Sequence, residues 1–172
     1  LFVDGKRIGR STMPACQGFK SYDSYELCLK PGRHVAAVCV HHLGQSCATA
    51  AISRPGLWLQ ITANSKLIMA TDASWKTMPA WGYFQHIPEM MSHFGFYQIC
   101  DYSQIPDGWE RLNFDDASWY NAEMIGIVGC EPWRKLMPRP AKQLETVVLK
   151  PTKVLSAGSW TDGTIDTTLK SV

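Results

Sequence analysis

Apolar and polar positions follow one another in short runs broken by turn residues, and no segment of useful length keeps apolar side chains at helical spacing between caps. Leu1-Phe2-Val3 reads as a strand, Asp4-Gly5 as a tight turn whose two central residues need positive φ, and Lys6-Arg7-Ile8-Gly9 as the returning strand. Tyr25-Glu26-Leu27-Cys28-Leu29 alternates apolar with polar or small residues, which predicts a strand with one covered face. Lys30-Pro31-Gly32 is a turn, because Pro presets φ and Gly supplies the positive value. Residues 35–40 (VAAVCV) are apolar almost throughout, as expected for a strand covered on both faces or central in a sandwich. Leu57-Trp58-Leu59-Gln60-Ile61 and Lys66-Leu67-Ile68-Met69 predict a hairpin turning at Ala63-Asn64-Ser65. Further strands are expected at residues 95–100, 146–149 and 154–155. The pattern predicts an all-β chain, an antiparallel β-sandwich with part of a second β module.

A chain of 172 residues holds one sizeable sandwich, or a small one and part of another. The periodicity divides it into a sandwich over 1–78, an irregular aromatic stretch over 79–94, and a second β segment over 95–172. From Met78 to Phe94 the run MPAWGYFQHIPEMMSHF carries aromatics, methionines and prolines with no period. A loop of this length in a compact chain is usually functional or a linker.

One tetrapeptide occurs twice: Asp72-Ala73-Ser74-Trp75 and Asp116-Ala117-Ser118-Trp119. An Asp side chain can cap amides two or three residues on, which makes a tight turn and aims the Trp inward. Asp72, Trp75, Asp116 and Trp119 are therefore read as structural turn anchors. As core rings, either Trp changed to Ala would cost about 3–5 kcal/mol. The adjacent carboxylates Asp115 and Asp116 do not make an acid/base pair, since neighbours in sequence rarely face one another productively.

Net charge is +2, with scattered basic residues and no stripe of the kind a nucleic-acid surface needs. No apolar run is long enough to cross a bilayer as a helix. The chain opens inside a strand without Met, so it is expected to be an excerpt of something longer, and its compartment is not assigned. Cys16, Cys28, Cys39, Cys47, Cys100 and Cys130 form none of the close pairs of a structural zinc site. They are expected to be mostly free, with Cys28 and Cys39 acting as small buried hydrophobes.

The order of these pieces resembles known glycoside hydrolase modules. Residues 3–9 (VDGKRIG), 22–29, Pro31-Gly32 and 35–40 resemble galactose-binding-like jelly rolls. The pieces that follow are Thr71-Asp72 with Ser74-Trp75-Lys76, Gly95-Phe96 to Asp101, Pro106-Asp107-Gly108-Trp109 and residues 114–119. Pro132-Trp133, Leu136, Pro138-Arg139-Pro140 and Leu144-Glu145 complete the series. They fall in the order seen upstream of the catalytic domain in bacterial α-L-rhamnosidases. The resemblance implies a jelly-roll, non-catalytic region whose partner is an (α/α)₆ barrel of the same chain, the seat of an inverting rhamnosidase activity. The D-C-P-x-R-D-E-R stretch common on that barrel has no match here. His34 and Asp4 stand where the jelly rolls more often carry Asn.

Three function classes follow: an accessory region of an α-L-rhamnosidase-like enzyme, an autonomous carbohydrate-binding module with a structural calcium, and an enzyme in its own right. The last ranks lowest. His41-His42 point to opposite faces of a strand, and neither a nucleophile elbow nor a phosphate loop is present. No catalytic residue, metal ligand or organic cofactor is assigned, and neither nucleic acid nor membrane is expected as a partner. Asp-rich loops leave room for calcium without the dense ligand spacing of a dedicated site. A sugar site pairs an exposed aromatic ring with a few fixed polar groups. Trp81, Tyr83, Phe84 and His86 meet that description, with a rhamnose-containing oligosaccharide as the expected ligand; the same residues equally suit a domain interface.

Overall fold

The computed structural model describes residues 1–10, 20–44, 46, 54–85, 87, 89–91, 95–143, 145–154, 160–161 and 164–165. Among them no α-helix forms. Thirteen short strands and one 3₁₀ turn make small sheets, most of them antiparallel, and the fold is all-β. The chain divides into two units, Leu1–Pro140 and Ala141–Val172. The stretch 79–94 falls inside the first.

In the first unit, β1 (Phe2–Val3) lies between β2 (Lys6–Arg7) and β4 (Ala36–Ala37), antiparallel to both. The β1–β2 turn places Asp4 at φ 50° and Gly5 at φ 79°, both left-handed, so its twist matches that of the flanking strands. Val3 is the buried apolar side chain among the described residues. Beside it, Phe2 meets Trp109 edge to face at 5.3 Å, and the Gly5 amide donates to the Glu110 carbonyl at 2.8 Å. The Trp109 segment thus covers the first hairpin.

The strand β3 (Lys20–Tyr22) pairs in parallel with β11 (Leu136–Pro138). Next to this pair, the Arg139 guanidinium forks onto Asp23: Nε donates to Oδ1, and Nη2 donates to Oδ2 at 2.9 Å. Both side chains are nearly covered, and the Arg139 amide also donates to the Tyr22 carbonyl at 3.0 Å. A bidentate fork fixes direction as well as distance. It ties together segments 116 residues apart.

Strands β5 (Gln60–Ala63) and β6 (Lys66–Ala70) form the expected hairpin, turning through Asn64 (φ 49°) and Ser65 (φ 62°), with a register shift at Ile61/Thr62. Strands β7 (Lys76–Thr77) and β10 (Tyr120–Asn121) pair antiparallel, and β8 (Glu89–Met91) pairs with β9 (Gly95–Phe96).

Several expected strands take another form. Residues 25–29 have no ladder partner among the described residues, and Leu27 and Leu29 are exposed. Alternation marks a segment that suits a sheet, but a strand exists only where a neighbour supplies the ladder. Only Ala36–Ala37 of the run 35–40 is paired. It sits at the end of its sheet and is half-buried, not covered on both faces. Cys28 and Cys39 are free but exposed, and Cys100 and Cys130 are also free; Cys16 and Cys47 lie outside the described residues. In the second unit, residues 146–149 form no strand and Val147, Val148 and Leu149 are exposed. The strands there are β12 (Trp160–Thr161) and β13 (Thr164–Ile165), an antiparallel pair.

A candidate ligand-facing aromatic surface

The stretch after the first repeated tetrapeptide is locally ordered where it is described. The Trp81 amide donates to the Pro79 carbonyl at 3.0 Å and the Tyr83 amide to the Ala80 carbonyl at 2.9 Å, which makes a tight turn. Beyond it the chain pairs with residues 99–101. Tyr83 bridges Cys100, the Phe84 amide donates to the Ile99 carbonyl at 3.1 Å, and the Asp101 amide donates to the Gly82 carbonyl at 2.7 Å. Gly82 is buried at this crossing, and a Cβ there would stand 2.6 Å from the Asp101 carbonyl oxygen. Only glycine lets the two backbones approach so closely.

This pairing sets the fate of each candidate ring. Trp81 is 70 % exposed and Phe84 45 % exposed. Tyr83 is half-buried, and its hydroxyl is held above its ordinary pKa chiefly by burial, with Cys100 next in effect. It therefore packs toward Cys100 while its neighbours face outward. The Gln85 side-chain amide donates to the Tyr83 carbonyl at 3.3 Å. His86 lies outside the described residues.

Two further exposed rings, which periodicity did not single out, lie on the segment that pairs with this one. Tyr97, just before the paired residues 99–101, is 53 % exposed. Tyr102, just after them, is 76 % exposed and opens a 3₁₀ turn over Tyr102–Gln104. That turn is capped by Asp101, whose Oδ1 accepts from the Ser103 amide at 3.0 Å and the Ser103 hydroxyl at 2.7 Å. These bonds, the hydroxyl's first, hold the Asp101 carboxyl below its ordinary pKa. The D-x-S spacing of Asp101 and Ser103 repeats that of Asp72 and Ser74, and was the available signal for Tyr102. The backbone pairing thus holds Trp81 and Phe84 on one segment and Tyr97 and Tyr102 on the other, all exposed.

The turn anchors lie elsewhere in the unit. Asp72 Oδ1 accepts from the Ser74 amide at 2.8 Å and the Ser74 hydroxyl at 2.5 Å, while Trp75 Nε1 donates to the Ala70 carbonyl at 3.1 Å. The Ser74 hydroxyl bond, followed by the amide bond, keeps the Asp72 carboxyl below its ordinary pKa. In the second copy the capping carboxylate is that of Asp115, which accepts from the Ala117 amide at 3.0 Å; Asp116 contributes its carbonyl to the Trp119 amide at 2.9 Å. Trp119 meets Phe114 edge to face at 5.3 Å. Both indoles are half-buried rather than enclosed. Among the described residues, no three His, Cys, Asp or Glu side chains converge as a metal site.

No protein-family model matches the chain, and no curated protein matches it. Among solved structures it is similar to the crystal structure of a GH78 family rhamnosidase of Bacillus sp. GL1, with a TM-score of 0.72 and 32 % sequence identity. The match covers 80 % of this chain and 15 % of that one. The likeness extends over most of this chain and supports a relation to that family, and the chain spans about 15 % of its neighbour's length.

Proposed function

We propose that this chain is a non-catalytic accessory region of an α-L-rhamnosidase-like glycoside hydrolase, of jelly-roll descent, which supports a catalytic domain of the same protein and offers an aromatic surface to rhamnose-containing glycans. The observation that carries the reading is the match itself: most of this chain corresponds to a small share of a rhamnosidase. Two features of the chain support it. The carboxylates of Asp72, Asp101 and Asp115 are engaged in capping local turns, which is a structural task. Leu67, Ile68, Met124, Ile127 and Val128 are each more than half exposed, and packing against further protein would cover such side chains.

The carbohydrate part of the reading rests on Trp81, Phe84, Tyr97 and Tyr102. An aromatic face stacks on the C–H face of a sugar ring, and the tyrosine hydroxyls and the indole N–H supply polar contacts at its rim. An autonomous binding module, with or without a structural calcium, uses the same surface. The two differ in whether the chain binds sugar by itself.

The test is direct. Purified chain incubated with an aryl α-L-rhamnoside is expected to release no phenol above a blank, and turnover would overturn the accessory reading. A glycan array probed with the same protein distinguishes a region that only packs from one that also binds.

A further inference from the structure

We propose that His34 is a pH-dependent clasp: with both ring nitrogens protonated it holds the Asp4–Gly5 turn against the start of β4, and it lets go when one proton is lost. The geometry requires the doubly protonated ring. Nδ1 of His34 lies 2.7 Å from Oδ2 of Asp4, and Nε2 lies 2.7 Å from the Lys30 carbonyl oxygen. A carbonyl oxygen and an ionised carboxylate oxygen only accept, so each ring nitrogen must donate. A neutral imidazole has one N–H and can satisfy one of these partners, not both.

The other contacts of Asp4 explain what the clasp secures. Its Oδ1 accepts from the Val35 amide at 3.0 Å, and its own amide donates to the Val35 carbonyl at 3.1 Å. Asp4 is also a left-handed residue of the β1–β2 turn, at φ 50°. The ring thus reaches from the turn to the Lys30 carbonyl, with the strand leading into β4 bonded between them. Asp4 is the ionised partner of the ring. Lys30 and Arg33 flank it in sequence, and Glu110 and Arg111, which meet the same turn at Gly5, pair with each other at 3.7 Å.

The two ionisations move in the directions this geometry demands. The hydrogen bond that the ring donates to Asp4, then the one it donates to the Lys30 carbonyl, raises the His34 pKa above 6.5. The Val35 amide, then His34, lowers that of Asp4 below 3.8. Contributions from a raised cation are complete below its unfolded pKa and vanish as pH rises through the folded one. Those from a lowered acid are present above its unfolded pKa and vanish as pH falls through the folded one. The clasp is therefore fully closed from roughly pH 4 to pH 6.5 and opens on both sides of that window. Because both side chains are about one-third exposed, it weakens with salt.

The experiment is an NMR pH titration of the full chain, following the His34 ring nitrogens and exchange at the Asp4 amide. The expected result is a His34 titration above the ordinary histidine range. Asp4 amide exchange should rise about tenfold beyond its intrinsic rate as the ring becomes neutral. Asp4→Asn should return His34 to the ordinary range, and His34→Gln should remove the extra pH dependence of the amide. A His34 ring that titrates at or below its ordinary value overturns the proposal. So does an Asp4 amide that keeps its protection once the ring is neutral. Should Asp4→Asn not fold, the ring and amide titrations of the unaltered chain decide alone.

Discussion

The Lys76 ammonium donates to the Asn121 side-chain oxygen at 2.9 Å, across the β7–β10 pair in which the two backbones also stand opposite. Lys76 is the first residue after one copy of the repeated tetrapeptide, and Asn121 the second after the other. Thr77 and Tyr120 pair in the complementary sense. The two copies therefore meet about a local pseudo-two-fold, each sending its next two residues into one ladder. The Ala122 amide extends the contact to the Trp75 carbonyl at 2.7 Å.

The two indoles, not the exposed pair between Lys76 and Asn121, are expected to carry the stability of this junction. Half-buried rings lose less on truncation than enclosed ones, so Trp75→Ala and Trp119→Ala should each cost about 2 kcal/mol instead of the 3–5 of a core ring. Lys76→Ala should leave the melting temperature nearly unchanged. Urea unfolding of the three variants checks the ranking, and equal losses would contradict it.

The caps of the two copies differ, and so should their mutants. Asp72→Ala and Asp115→Ala each remove a carboxylate that accepts a backbone amide, and should lower the melting temperature. Asp116→Ala keeps the carbonyl that the Trp119 amide uses and should melt like the parent. Thermal melts followed by near-ultraviolet circular dichroism distinguish them.

Acid should loosen the capped turns together. Asp72 and Asp101 have pKa values held below 3.8, so their contribution is present above that value and lost as pH falls through the lower folded values. The melting temperature should be insensitive to these groups from pH 7 to about pH 5 and fall below about pH 4. In the double variant Asp72→Asn, Asp101→Asn the acid-side fall should be shallower. A parent curve that keeps its full stability at pH 2.5 would contradict this.

The fork between Arg139 and Asp23 needs a planar donor. Arg139→Ala should lower the melting temperature by several degrees, and Arg139→Lys should recover little, because an ammonium cannot make both bonds. Differential scanning calorimetry of the two variants measures this; full recovery by Lys would mean that charge alone suffices.

Trp81 is the test of the aromatic surface. At 70 % exposure it contributes little to packing, so Trp81→Ala should leave the melting temperature unchanged and abolish rhamnoside binding. Titration calorimetry with a rhamnose-containing oligosaccharide decides it. Unchanged affinity in the variant, or no binding by the parent, rejects the surface as a sugar site.

Local chemistry was the legible part of the fold. Asp4-Gly5 and Asn64-Ser65 carry the positive φ values their hairpins require, and such demands are met within four residues. What depends on a distant partner was not legible. The alternation at 25–29 found no ladder partner among the described residues, whereas Lys20–Tyr22, which has no strong β pattern, found one in Leu136–Pro138. The aromatic surface was half visible: Trp81 and Phe84 stood out by composition. The D-x-S of Asp101 and Ser103 marks the turn at Tyr102, but that its segment pairs with the Trp81 segment depends on Gly82 lying against the Asp101 carbonyl, a contact between two segments.

The parallel pairing of β3 with β11 has a consequence for how the first unit forms. Its two strands come from near the beginning and the end of that unit, so joining them closes a loop of more than a hundred residues around every hairpin between. Closure of so long a loop loses chain entropy before three paired residues and one guanidinium fork can offset it. The hairpins at Asn64-Ser65 and Asp4-Gly5 carry no such cost and can form first. The early part of the chain is then held in place by residues at the far end of the unit. Loop-closure entropy therefore predicts that the Asp23–Arg139 fork shuts late, and stopped-flow kinetics of Arg139→Ala should show unfolding accelerated far more than refolding is slowed.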